Sequence, residues 1–179
     1  MNPDSNNQPD SAEDTGPSHS NTVPTTKHLA LKTPAGWLAF GFGSGLSPFA
    51  PGTMGTLMAI PFAIVLKQLS QPWYWLMLLV TFALGVWVCD HVSRRLGVHD
   101  HGGIVWDEMV GYWLAVALVP LTWSWLLAAF VLFRIFDIFK PWPINVLDKK
   151  VSGGFGIMID DILAAIYALA ILVAVQYFV

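Results

Sequence analysis

Charge is what this sequence has least of. Only 12% of its 179 residues are Asp, Glu, Lys or Arg, about half the share in an ordinary soluble domain. A single cysteine, Cys89, excludes an internal disulfide framework and any Cys-rich metal site. It reads as a small buried apolar residue. There is no basic excess: the formal net charge is −3, which argues against nucleic acid as a partner. The first residues lack the basic start and apolar centre of a secretory signal. No internal repeat is visible. What abounds is apolar: 55% of the residues are hydrophobic, including nine tryptophans, the composition of a protein that lives in a lipid bilayer.

The few polar residues are unevenly spread. Asp4, Asp10, Glu13 and Asp14 lie in a head rich in Asn, Ser, Thr and Pro, which cannot bury enough apolar surface to fold. Residues 1–30 therefore read as a disordered tail, and 31–179 as a single membrane-embedded domain. Five apolar stretches follow, at residues 53–69, 73–92, 104–123, 124–139 and 156–179. A membrane span needs about 20 residues. The second, third and fifth stretches reach that length. The first, which contains Pro61, and the fourth are marginal and fit a tilted, re-entrant or partly interfacial helix. Residues 35–43, "AGWLAFGFG", read as a short surface helix. The expected fold is all-α: a polytopic bundle of four to five membrane helices, some re-entrant.

Threading the stretches alternately through a bilayer sorts the charges. One side receives Lys27, Lys32, Arg94, Arg95, Lys140, Lys149 and Lys150; the other receives only Lys67. Positive residues favour the cytoplasm, so the first side is expected to be cytoplasmic. The same side collects the His residues, the Gly-rich loops and nearly every acid outside the tail.

Two acidic pairs stand out. Asp107 and Glu108 open the third stretch, and Asp160 and Asp161 lie near the start of the fifth. Acids near helix N-termini complement the backbone dipole, which accounts for one acid per helix but not for adjacent pairs. A charge at membrane depth costs about 2.5–3.5 kcal/mol on insertion scales, so four acids call for a partner. A divalent cation with oxygen ligands, such as Mg²⁺ held by carboxylates and substrate phosphate, is the economical one. Arg134 and Asp137 are three apart and share a helical face. They read either as an internal ion pair or as a phosphate clamp, since a guanidinium donates two parallel hydrogen bonds. Lys140 is either a dipole partner at the helix end or a contact for an anionic head group.

The loop "GFGSGLSPFAPGTMG", with Ser44, Ser47 and Thr53, can present backbone N–H groups to an anion, though it lacks the Lys of a P-loop. In "SGGFGIMIDD" the glycines lead toward a helix N-terminus, a second candidate anion site. His99 and His101 in "VHDHGG" read as a hydrated loop or as proton donors to a leaving group. They lack the second cluster of a zinc site. Asp90 and Arg94 read as a structural pair.

The four segments "GFGSGLSPFAPGTMGT", "GVHDHGGIVWDEMVG", "FRIFDIFKPWPI" and "GGFGIMIDDILAA" together resemble the phosphatidylglycerophosphatase A family, in the same order, from about residue 37 to the C-terminus. The resemblance implies a Mg²⁺-dependent phosphatase of the bacterial inner membrane. Its substrate would be phosphatidylglycerophosphate, and its products phosphatidylglycerol and inorganic phosphate. It also implies that the acidic motif residues are Asp107, Glu108, Asp137, Asp160 and Asp161, and the basic one Arg134. A thiolate or aspartyl-phosphate phosphatase of the haloacid type is not expected. Water attack on phosphorus is favoured, with Glu108 or Asp161 as base, and a covalent aspartyl intermediate remains an open alternative. A transporter using the acids as a cation site is the competing class; it would stagger acids through the membrane depth rather than gather them at one face.

Overall fold

The computed structural model describes residues 26–98 and 101–178. Every regular element among them is helical: α1 (Thr26–Lys32), α2 (Pro34–Ala39), a 3₁₀ turn (Gly41–Leu46), α3 (Pro51–Leu66), α4 (Gln71–Leu96), α5 (Trp106–Ala115), α6 (Trp123–Phe139), α7 (Ile144–Lys150) and α8 (Gly153–Phe178). Most of the expected tail, residues 1–25, lies outside the described residues. Its last part does not behave as a tail, because α1 is helical and buries Leu29 and Ala30.

Two helices, α4 and α8, are long and apolar enough to cross a membrane. That is fewer than the four to five expected from the sequence. The third stretch accounts for much of the difference. Pro120 cannot continue a helix and restricts the residue before it, and α5 already ends at Ala115, after ten residues. Eight of those ten are buried, so α5 is a core helix, enclosed by α3, α4, α6 and α8. A helix apolar all round reads the same whether its neighbour is lipid or protein.

The polar tips of buried aromatics tie α5 to its neighbours. Trp113 Nε1 donates to Ala59 O of α3 at 3.0 Å, Tyr74 OH of α4 to Trp113 O at 2.6 Å, and Tyr112 OH to Leu126 O of α6 at 3.0 Å. Each places a polar atom where water is scarce, so a partner is needed. Lys67 closes the far end. Its ammonium donates to Val116 O, Ala117 O and Val119 O at 3.2, 3.0 and 2.8 Å, satisfying carbonyls that the end of α5 leaves over. Lys67 is thus a cap for the core helix.

Outward faces are apolar. Trp73, Leu76, Leu79 and Val80 of α4, Leu127 and Val131 of α6, and Ile166 and Val173 of α8 are exposed. Among the described residues, every charged side chain except Lys67 lies at the opposite end, where α4 and α6 finish and α5 and α8 begin.

Candidate active site

At that end, α5, α6 and α8 bring the acids together. Asp107 and Glu108 occupy the first turn of α5, which has no side-chain cap. Asp160 and Asp161 depart from expectation. α8 begins at Gly153 with no acid in its first turn, so the pair lies two turns in. Backbone N–H groups at that depth are bonded within the helix, which rules out capping as their role. Asp161 is 2% exposed, and Asp137, Asp107, Asp160 and Glu108 are all within electrostatic reach of it.

Arg134 links α6 to α5. Its Nη1 lies 2.5 Å from Asp137 Oδ2 and 3.4 Å from Glu108 Oε1. Lys140 links α6 to α7 and α8. Its backbone is left-handed, with φ of 40°, and its Nζ sits 2.7 Å from Asp148 Oδ1 and 2.6 Å from Asp160 Oδ2. Burial alone would lower the pKa of this ammonium, but the two carboxylates outweigh it and hold the pKa above its ordinary value. Asp148 is a residue that sequence reading misses. No helical period connects it to Lys140, because the helix is interrupted at Pro141–Pro143 between α6 and α7.

Among the described residues, the cluster therefore sets six carboxylates against two cations. Asp160 Oδ1, Asp161 Oδ2 and Arg134 Nε are buried and make no hydrogen bond, a cost of about 1–3 kcal/mol for each such group. Bare carboxylate oxygens in a cluster with excess negative charge fit a hard divalent cation. Among the described residues, no three His, Cys, Asp or Glu side chains already form a metal cage. Mg²⁺ does not need one, since it commonly takes one or two carboxylates and fills its shell with water and phosphate oxygens.

The Gly-rich loop reaches the cluster through α3. Ala50, left-handed at φ of 43°, precedes Pro51, and no side chain caps the helix. The first N–H groups of α3 thus belong to Gly52 and Thr53. Gly52 is pressed against the acids: a Cβ there would lie 1.9 Å from Glu108 Oε1 and 3.1 Å from Arg134 Nη1. The two serines are occupied locally, Ser44 Oγ donating to Gly41 O and Ser47 Oγ to Phe49 O, each at 2.8 Å. His101 Nδ1 accepts from Gly103 N at 3.0 Å, and its ring packs beside Phe40. It belongs to the turn before α5 rather than to the carboxylates. His99 lies outside the described residues.

Two sequence readings change. The glycines of "SGGFGIMIDD" lie at the start of α8 and serve close packing. A Cβ on Gly154 would lie 1.9 Å from Val86 O of α4, and Gly154 N already donates to Asp90 Oδ1 at 3.3 Å. An internal carboxylate holds the place read as an anion site. The expected Asp90–Arg94 pair is present at 2.9 Å. In addition, Cys89 and Arg95 stand at the Cys-x₅-Arg spacing of thiolate phosphatases, a match the sequence reading overlooks. Both lie within the continuous helix α4 and Cys89 is fully buried, so the segment forms no phosphate loop and the thiol meets no substrate.

The comparisons with known proteins converge. A family model described as phosphatidylglycerophosphatase A matches residues 37–176. The phosphatidylglycerophosphatase A of Haemophilus influenzae is 50% identical over 153 residues, covering 84% of this chain and 94% of its own. That of Escherichia coli is 48% identical over 145 residues, covering 80% and 84%. A third relative, from Bacteroides thetaiotaomicron, is 42% identical over 152 residues, covering 78% and 91%, and bears a provisional name as a phosphatidylinositol-3-phosphatase. No solved structure matches the chain.

Proposed function

The chain belongs to the phosphatidylglycerophosphatase A family, and we propose that it hydrolyses phosphatidylglycerophosphate to phosphatidylglycerol and inorganic phosphate with Mg²⁺ at the cytoplasmic face of the inner membrane. The observation that carries this reading is the imbalance of six carboxylates against two cations, with bare oxygens on Asp160 and Asp161. A phosphate dianion cannot approach such a cluster unless a cation stands between them.

Asp160 and Asp161, with Asp107, Glu108 and Asp137, would hold the ion. When bound, Mg²⁺ supplies neutralising charge and polarises the phosphoryl oxygens. The remaining steps fall to the chain itself. Arg134 turns from its carboxylates to grip the phosphoryl group, helped by the N–H groups at the start of α3. Thr53, in the same first turn, is placed to orient a phosphate oxygen. Glu108 or Asp161 accepts the proton of the attacking water, and the glycerol oxygen leaves with a proton returned to it. Lys140 holds Asp160 in position. Ser44, Ser47 and His101, bound within their own turns, shape the entrance rather than react.

In the bilayer, α3 and α6 run alongside α4 and α8 and complete four membrane helices around α5. Phosphoryl transfer is favoured over ion transport, because the far halves of α4 and α8 carry no charged residue.

The test is phosphate release by the purified chain in lipid–detergent micelles. Phosphatidylglycerophosphate should be turned over faster than phosphatidylinositol 3-phosphate, EDTA should stop the reaction, and Mg²⁺ should restore it. Turnover unaffected by EDTA would remove the metal. Cysteines introduced near Arg94 and Lys149 should be labelled from the cytoplasm alone; labelling from the periplasm would reverse the orientation.

A further inference from the structure

The seam between α4 and α8 is a feature the proposed reaction leaves unused. A groove of about 780 Å³ opens there, lined among others by Val86, Trp87, Asp90, Arg94, Ser152 and Phe155. None of the six clustered acids lines it. Beyond it along α4 lies an apolar cleft of about 340 Å³, reaching Leu79, Phe82, Val110 and Ile162. Phe82, a wall of the cleft, meets Phe155, a wall of the groove, edge-on at 6.1 Å. The two hollows therefore adjoin.

Their chemistry changes along the seam. The cleft is lined by apolar side chains throughout. The groove ends at Arg94, 78% exposed, and the exposed Arg95, Lys149 and Lys150 lie within three residues in sequence of its lining residues Arg94 and Ser152. Asp90 offsets Arg94 through their ion pair and also accepts from Gly154 N, so the surplus positive charge comes from Arg95, Lys149 and Lys150. From Leu79 to Arg94, α4 rises about 22 Å at 1.5 Å per residue. Half a bilayer, head groups included, measures about 20–22 Å. An apolar trough one leaflet long, ending in a cationic rim, is complementary to one lipid with an anionic head group.

We propose that the α4–α8 seam binds an anionic glycerophospholipid, its head group at the Arg94 and Lys149–Lys150 rim and a chain running past Phe155 into the cleft, at a site separate from the reaction centre. Such a lipid would brace the first turns of α8, the helix that carries Asp160 and Asp161. The inference rests on the membrane placement above and not on the phosphatase chemistry.

The experiment is native mass spectrometry of the full chain in detergent. It is offered phosphatidylserine or phosphatidylcholine with identical chains, because neither lipid is a substrate or product of the proposed reaction. Phosphatidylserine should be retained with a roughly 30- to 150-fold preference, the order expected of two to three basic residues at an anionic head group. The triple change Arg94→Gln, Lys149→Gln, Lys150→Gln should erase the preference, and Ala83→Trp, which fills the groove, should weaken retention of both lipids. Arg134→Lys should leave retention unchanged. Equal retention of the two lipids by the wild type would overturn the proposal, as would retention undisturbed in the groove variants. Loss of retention in Arg134→Lys would overturn it too, by moving the lipid to the reaction centre. If alkaline carbonate strips the chain from membranes, the membrane placement falls and the seam lipid falls with it.

Discussion

Lys140 and Asp160 meet at 2.6 Å although twenty residues separate them in the chain. The same ammonium holds Asp148 at 2.7 Å, so one side chain fastens the end of α6 to both α7 and α8. Lys140→Met should destabilise the protein by about 1–3 kcal/mol, discounted for the partial exposure of the pair, and lower its Tm. The folded pKa of Lys140 lies above its ordinary 10.5. Its stabilisation is therefore complete below that value and fades only as pH rises through the higher folded one. The Tm difference between wild type and Lys140→Met should accordingly persist from mildly alkaline pH up to 10.5 and shrink only above it; its loss at mildly alkaline pH would contradict the pairing. Removing this positive charge should also lower the Mg²⁺ concentration needed for half-maximal turnover.

The acids separate metal binding from architecture. Asp107→Asn, Glu108→Gln, Asp160→Asn and Asp161→Asn keep shape and remove charge. At least two of the four should abolish turnover while the protein still inserts and melts cooperatively. Near-normal phosphate release from all four would end the metal-site reading.

Arg134 is a phosphate clamp or merely the counter-ion of Asp137 and Glu108. A lysine cannot offer two parallel donors, so Arg134→Lys should fold normally and lose kcat. The double change Arg134→Met, Asp137→Leu removes the ion pair together with its charge. It should be stable and inactive; an active double variant would take both residues out of the site.

Two glycines should fail in different ways. At Gly52 the atoms that a methyl group meets are the ends of the Glu108 and Arg134 side chains, which can swing aside. Gly52→Ala should reduce turnover more than Tm. At Gly154 the obstacle is the backbone carbonyl of Val86, which cannot yield without parting α4 from α8. Gly154→Ala should cost about 1–3 kcal/mol, read as a fall in Tm.

The N-terminal boundary can be tested by truncation. Deleting residues 1–25 should leave turnover near wild type, since the segment is polar and carries no motif. Extending the deletion to residue 32 should lower stability, because Leu29 and Ala30 are buried. Lost activity in the shorter truncation, if well expressed, would show that the segment contributes to the site.

Much of this protein is fixed by properties that do not need a fold. Apolar composition announces helices long enough to cross a membrane, and among the described residues the spacing of Lys, Arg, Asp and Glu sends nearly all charge to one end, because helices that alternate in direction return their polar ends to the same side. Arg134 and Asp137 can be paired by counting, since i and i+3 share a face in any helix. The four motif segments carry the family. Tertiary structure decided what periodicity cannot. Residues 109–119, after the acidic pair, are apolar in every direction, and only packing shows that α5 is a ten-residue core helix held by Lys67 and three aromatic hydrogen bonds rather than a full span. Asp148 enters the cluster through Lys140 across the break between α6 and α7, where no helical phase carries over. The glycines before Asp160 look like an anion loop until Asp90 is found occupying the place. Cys89 and Arg95 have the spacing of a reactive pair, yet a continuous helix buries the thiol. In each case the sequence specifies the residue, and its role is set by what lies beside it in space, which a linear pattern does not encode.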